Sequence, residues 1–159
     1  MPQRSNADRL AELRRLVILE TQPERDFDRV TRMLADTLQV PIAMVNLLDE
    51  NRDWFKSCVG LKLTESPVET SFCAAFFSTA DEVIVVGDTA KEARLAVHPL
   101  VAGPPFIRFY AGARLQVRGQ TVGTLCAYDI QPRTVDAAQV RALQALASAV
   151  VELLISRVG

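Results

Sequence analysis

An α+β fold is predicted for this chain of 159 residues: a central antiparallel sheet with helices contributed by both ends of the sequence. Three observations predict it. Residues 107–129 hold two β-rich runs around the short turn Arg118-Gly119-Gln120, the pattern of an antiparallel hairpin. Further short apolar runs bounded by turn residues, above all residues 42–48, read as buried strands. Heptad-like apolar seams lie near each end, over residues 10–19 and 140–154, and read as helix.

Taken in order, Ser5 and Asp8 are spaced for a capping box. The helix they open carries Leu10, Leu13 and Val17 on one seam, with Leu16 and Leu19 beside it, and Thr21-Gln22-Pro23 breaks it. A second helix is expected over residues 26–38, with Phe27, Val30, Leu34 and Leu38 inward. Past Pro41 come a buried strand at 42–48, a turn at 49–52, a strand at 54–59 and a loop at 60–67. Thr70 or Ser71 caps a short helix holding Phe72, Cys73, Phe76 and Phe77. A short strand at 83–86 follows. Residues 88–105 read as irregular, with at most a helical turn near 92–95; so long a segment either covers a functional site or is an exposed connector. After the hairpin, a last helix runs over 136–156. Val140, Leu143, Ala147, Val150 and Leu154 form one stripe, and Leu146, Ala149 and Leu153 an adjacent one. A helix apolar over most of its girth buries two sides. One side packs on the sheet; the other meets the first helix, a second copy of the chain, or both. A parallel helical bundle between two copies is expected, the alternative being cover within one chain.

Composition narrows the function. The length suits a single domain with a full core, and 49% apolar residues with a mean hydropathy of +0.13 describe a well-buried globular protein. A net charge of −1 gives no case for nucleic acid or an anionic membrane surface. The polar N-terminus lacks the apolar core of a signal peptide, and no segment reads as long and apolar enough to span a bilayer. Cys58, Cys73 and Cys126 are odd in number and widely spaced, which argues against a disulfide framework and for a reducing, cytoplasmic setting. His98 is the single histidine, so His-based dyads and triads are poorly supplied. No CxxC, HxxxH, GxxxxGK or GxGxxG occurs, which leaves no metal site and no phosphate loop.

Strand alternation sorts the hairpin. Phe109, Ala111, Ala113 and Leu115 form an apolar face; Arg108, Tyr110 and Arg114 form the other. The second run offers Thr124, Cys126 and Tyr128 on one face. If the polar faces coincide, one concave surface carries a cation, two phenols, a hydroxyl and a thiol. Arg108 and Tyr110 then either fix an anionic or planar ligand or serve a structural ion pair to Asp88 or Asp129. Trp54 and Phe55 either wall a pocket or pack between sheet and loop. Cys73, in the first turn of its short helix, is a candidate redox-sensitive thiol or a small buried hydrophobe. Cys126 and Cys58 read as buried hydrophobes. His98 either contacts ligand or is a turn residue before Pro99. Ligand contacts are expected from Trp54, Phe72, Cys73, Phe76, Asp88, Arg108, Tyr110, Thr124, Cys126 and Tyr128; no catalytic residue and no metal ligand is expected.

The order of these words resembles a GAF domain: Trp54-Phe55-Lys56-Ser57 with Gly60-Leu61, Ser71-Phe72-Cys73-Ala74, Pro99-Leu100-Val101, Ile107-Arg108-Phe109-Tyr110-Ala111-Gly112-Ala113, Gly123-Thr124-Leu125-Cys126 and Pro132-Arg133. The likeness is to modules found ahead of output domains in bacterial sensors. It implies a GAF-like (PAS-like) antiparallel sheet of five or six strands, terminal helices on one face that commonly form a dimer, and short helices and loops roofing a pocket on the other. It implies one domain over 1–159, divided into an N-terminal helix (1–22), a sheet and pocket region (23–134) and a C-terminal helix (135–159). Ala75 stands where relatives carry His, Glu92-Ala93-Arg94-Leu95 where they show Asp-Pro-Arg-Phe, and His98 where they show Asn. Two of those changes remove polarity from the roof, which implies a more apolar pocket or one no longer used. The words of cyclic-GMP-binding and bilin-binding members are missing.

The expected function is therefore a non-enzymatic sensory or regulatory module acting as a homodimer. It would bind an unidentified small molecule and signal through its terminal helices to a partner protein, provided the ligand favours one helix arrangement over another. The cofactor is left unknown. Two alternatives stand beside this. One is a thiol enzyme of the free methionine-R-sulfoxide reductase type; against it, Cys126 and Tyr128 replace the carboxylates of that enzyme's strand. The other is a structural dimerisation module whose pocket is filled by Phe72, Phe76, Phe77 and Trp54.

Overall fold

The computed structural model describes residues 3–157, so the expected domain limits at 1 and 159 lie outside the described residues. In chain order the elements are α1 (Ala7–Arg15), α2 (Arg25–Leu38), β1 (Ile42–Leu48), β2 (Arg52–Val59), β3 (Glu65–Pro67), a roof 3-10 helix (Phe72–Phe77), β4 (Val83–Val86), α3 (Ala93–Ala96), α4 (Pro99–Ala102), β5 (Phe109–Val117), β6 (Gln120–Asp129) and α5 (Ala137–Ser156). The six strands form one sheet in the order β3-β2-β1-β6-β5-β4, with every neighbouring pair antiparallel. The two hairpins β1–β2 and β5–β6 join at the sheet centre, where β1 pairs β6 from Ile42 opposite Tyr128 to Leu47 opposite Gly123. This is the predicted α+β architecture.

The sheet separates two apolar cores. On one face, α1, α2 and α5 cover Ala43, Val45, Leu47, Phe109, Ala111, Ala113, Leu115, Leu125 and Ala127. On the other, the roof helix and the segment before β5 cover Ile42, Met44, Phe55, Tyr110, Cys126 and Tyr128. α5 buries the predicted stripe Leu143, Ala147, Val150 and Leu154, while Val140 stays half-buried. Its start is fixed by a capping box between Asp136 and Gln139. Contrary to expectation, the 20-residue α5 contains an 18-residue window of mean hydropathy 1.4 and so reaches the length and apolarity of a bilayer span by composition. Its buried stripe instead packs against β5 and α2.

Several boundaries depart from expectation. Asn6, not Ser5, caps α1, accepting from the Arg9 amide at 3.0 Å. The helix ends at Arg15 because Val17 turns to φ 51°, which leaves Val17 exposed and carries Leu16 and Ile18 fully into the core. The β5–β6 turn holds two residues rather than three: Arg118 and Gly119 sit at φ 51° and 78°, the left-handed pair of a type I′ turn, whose twist matches its strands. β3, expected as loop, is a three-residue edge strand against Arg52–Trp54 that ends at Pro67, too short to show alternation. The stretch 88–105 is less irregular than expected, with a 3-10 turn at Thr89–Lys91 ahead of α3 and α4. A bulge in β2 opposite Val45 and Asn46 turns both Lys56 and Ser57 toward the helices. There the Lys56 ammonium meets Thr21 Oγ1 at 2.8 Å and Glu24 at 2.6 Å, and Ser57 donates to Asp28 at 2.6 Å.

Candidate functional site

The register of the central hairpin brings its two polar faces together. Tyr110 lies opposite Tyr128, Gly112 opposite Cys126 and Arg114 opposite Thr124, so the roof-facing side of β5–β6 carries two phenols, a thiol and a hydroxyl. Gly112 is what lets the Tyr110 ring lie down along its own strand: a Cβ there would sit 2.3 Å from the phenol oxygen.

The roof helix lowers Cys73 onto this surface, fully buried. Its sulfur lies 3.0 Å from Thr124 Oγ1, 3.2 Å from the Tyr110 hydroxyl, 3.9 Å from Cys126 Sγ and 4.0 Å from the Tyr128 hydroxyl. The Asn46 amide donates to it at 3.6 Å. Phe72 closes the ring, stacking on Tyr110 at 5.6 Å and meeting Tyr128 edge-on at 5.4 Å. Burial pushes both phenols and the Cys126 thiol well above their ordinary values. Burial also pushes Cys73 up, but hydrogen bonds to Cys126, Thr124 and Tyr110 outweigh it and hold Cys73 below the ordinary thiol value. Of the two facing thiols, Cys73 is the one that ionises first. The helix-dipole argument made from sequence is not the reason, since the roof is a 3-10 helix of six residues and Ser71 makes no side-chain cap; the surrounding donors are.

Beside the ring lies a cavity of about 150 Å³. Its walls are mainly apolar, with Ile42, Met44, Phe55, Phe72 and Ile107 prominent; Asn46, Asp53, Ser66, Thr70 and Tyr128 are the polar lining residues. Asn46 donates to Asp53 at 3.2 Å, and Asp53 is paired with Arg4. A larger hollow between Asp88, Lys91 and Arg133 is open surface rather than an enclosed site.

Seven expected site residues therefore meet: Phe72, Cys73, Phe76, Tyr110, Thr124, Cys126 and Tyr128. Three lie elsewhere. Trp54 faces the helices and belongs to the opposite core, because β2 alternation hands the roof side to Phe55. Asp88 caps the turn at 89–91 through the Ala90 amide at 3.1 Å and faces the open hollow. Arg108 precedes β5 and is half-buried; it donates to the Val101 carbonyl at 2.8 Å and the Ile107 carbonyl at 3.2 Å, with no ion pair to Asp88 or Asp129 among the described residues. Arg114 pins the outer end of the roof by donating to Thr79 O at 2.8 Å and Thr121 Oγ1 at 2.8 Å. His98 is a turn residue: its Nδ1 caps α4 by accepting from the Leu100 amide at 3.0 Å, and its ring stacks on Phe72 at 4.3 Å. Of the four side chains expected to fill the pocket, Phe72 and Phe76 are buried in the roof-side core, Phe77 packs against that core with Arg9 over its ring at 5.0 Å, and Trp54 is across the sheet. Asn46 and Asp53 were missed. A lone polar residue inside the run Ile42–Leu48 was the available signal for Asn46.

Comparisons with known proteins agree with this fold. The sequence model of the GAF domain matches residues 22–153. A cyclic di-GMP phosphodiesterase of Pseudomonas aeruginosa is 36% identical over 126 residues, covering 79% of this chain but 21% of that protein, so the chain spans about a fifth of its relative's length. The GAF domain of an Acinetobacter phosphoenolpyruvate-protein phosphotransferase superposes with a TM-score of 0.69 at 20% identity, covering 95% of each chain. A free methionine-R-sulfoxide reductase from Neisseria meningitidis, solved with its substrate, superposes with a TM-score of 0.65 at 17% identity, covering 99% of this chain and 96% of that one. The two structural likenesses, at 20% and 17% identity, speak for the fold alone.

Proposed function

The chain belongs to the GAF domain family, and we propose that within it the chain is a non-enzymatic sensory module that binds a small molecule beneath its roof. The carrying observation is the cavity between the roof helix and β1–β2, mainly apolar but with the polar residues Asn46, Asp53, Ser66, Thr70 and Tyr128 in its lining. Coupling to the helices has a direct route. β6 presents Cys126 and Tyr128 to the roof side and Leu125 and Ala127 to the helix side, so a change at the cavity acts on the sheet that α2 and α5 rest on. A homodimer through the terminal helices, a cytoplasmic setting and a signalling partner belong to the same proposal; the half-buried Leu146, Ala149 and Leu153 on α5 support the dimer. Native mass spectrometry of the chain purified from its own host tests the sensing role. A stoichiometric co-purifying small molecule is expected, and protein without one would favour a structural module with a filled pocket.

A second reading, thiol-based enzymatic reduction, is favoured by one observation, the Cys73–Cys126 separation of 3.9 Å. Both sulfurs are fully buried, so a substrate would need the roof to move. A methionine sulfoxide reduction assay with a Cys73→Ser control tests it; turnover that the control abolishes would establish it.

A further inference from the structure

We propose that the roof cavity selects a neutral molecule about one six-membered ring in size, with an apolar body and a single hydrogen-bond donor directed at Asn46 Oδ1. This rests on reading the cavity as a ligand site and adds what chemistry the ligand has.

Four observations carry it. Asn46 is 1% exposed and lines the cavity, yet its Oδ1 accepts no hydrogen bond among the described residues. The orientation of that amide is fixed. Its Nδ2 donates to Asp53 Oδ2 at 3.2 Å and to Cys73 Sγ at 3.6 Å, and turning it over would set Oδ1 against a carboxylate oxygen. A buried acceptor without a donor is costly, and a ligand that supplies the donor removes that cost. Size is the second observation: about 150 Å³ matches a cavity that holds one benzene ring and is far below the usual range for drug-sized ligands. The third is the lining, which is mainly apolar; of its polar residues Asn46, Asp53, Ser66, Thr70 and Tyr128, Asn46 is the one with a buried side-chain atom that lacks a partner among the described residues. The fourth is charge. No cation lines the cavity among the described residues; Arg108 is turned to the Val101 carbonyl, and Arg4 is spent on Asp53. An anionic guest would enter without a counter-charge beside a carboxylate, and a cationic one would find that carboxylate already neutralised. A nucleotide is excluded by both size and charge.

Phenol, toluene and benzoate are the probes, three single rings that differ in donor and charge. Binding to the full chain is followed by chemical-shift titration, for the native protein and for Asn46→Leu, which keeps the bulk and removes the acceptor. Phenol is expected to bind about tenfold tighter than toluene, equivalent to about 1.4 kcal/mol, with benzoate weakest. In Asn46→Leu the tenfold preference is expected to vanish while toluene still binds. Toluene binding as tightly as phenol, or benzoate binding best, would overturn the proposal and leave the sensing role standing. If none of the three binds, the cavity is not a ligand site and both readings of it fall. Should Asn46→Leu not fold, the phenol-to-toluene ratio in the native protein decides alone.

Discussion

Substituting Gly112 by alanine tests how the ring around Cys73 is assembled. The added Cβ would lie 2.3 Å from the Tyr110 hydroxyl oxygen, 2.8 Å from its Cζ and 3.2 Å from Phe76 Cε2. The phenol has to swing away, which gives up its contact with Cys73 Sγ at 3.2 Å and disturbs its packing on Phe72 and Tyr128. Overpacking a buried site costs about 1–3 kcal/mol, and the lost buried hydrogen bond adds about 1 kcal/mol. Alanine recovers about 0.5–1 kcal/mol of backbone entropy relative to glycine in a strand. The expected net loss is about 1–3.5 kcal/mol. Urea unfolding followed by Trp54, the one tryptophan and buried on the opposite face of the sheet, reads it through the denaturation midpoint. Tyr110→Phe removes the oxygen nearest the clash, so the double variant should lose at least about 1 kcal/mol less than the two single losses summed. A Gly112→Ala loss under about 0.5 kcal/mol, or additive single losses, would refute the reasoning.

Three further outcomes are expected. Arg9 is fully buried, donates to Leu48 O at 2.7 Å, Thr121 O at 3.2 Å and Arg4 O at 2.6 Å, and burial lowers its pKa to about 10; Arg9→Met should cost about 3 kcal/mol in urea unfolding by leaving those carbonyls without a donor. Burial holds His98 below its ordinary value of 6.5, partly opposed by the Thr70 backbone. The unfolded chain therefore takes up the proton first, and the contribution of His98 to stability is present above about pH 6.5 and lost as pH falls through the folded value. His98→Asn keeps an α4 cap and should flatten the loss of stability on acidification by up to about 1.4 kcal/mol per pH unit, measured as urea midpoints between neutral and acid pH. Arg108→Met should lower stability by about 1–3 kcal/mol yet leave phenol affinity within about twofold, because its guanidinium serves backbone carbonyls rather than the cavity.

Much of the fold was legible because periodicity reports on faces. β1, β4 and the inward residues of α2 follow directly from apolar spacing, and the coincidence of Tyr110, Thr124, Cys126 and Tyr128 follows from alternation along one hairpin. Alternation separates Trp54 from Phe55 but does not say which side each takes; that was set by pairing with β1 and the bulge at Lys56, contacts distant in sequence. Arg108 was placed with Tyr110 by parity, yet it precedes the first paired residue of β5, where alternation no longer governs. The Asn46–Asp53 pair spans the β1–β2 turn, and its partner Arg4 lies ahead of the first helix, so the lone polar Asn46 in an apolar run could be noticed locally but its partners could not.

The N-terminal segment is moored at two depths. Arg4 reaches Asp53 and the Asp49 carbonyl, while Arg9, one turn into α1, grips the carbonyls of Leu48 and Thr121. Because Asp53 also accepts from Asn46, whatever reorients that amide changes the hold on Arg4. The lumen and the threshold of α1 are thus strung on a single polar tendon that runs past the ends of β1, β2 and β6 instead of across the apolar layers of the sheet.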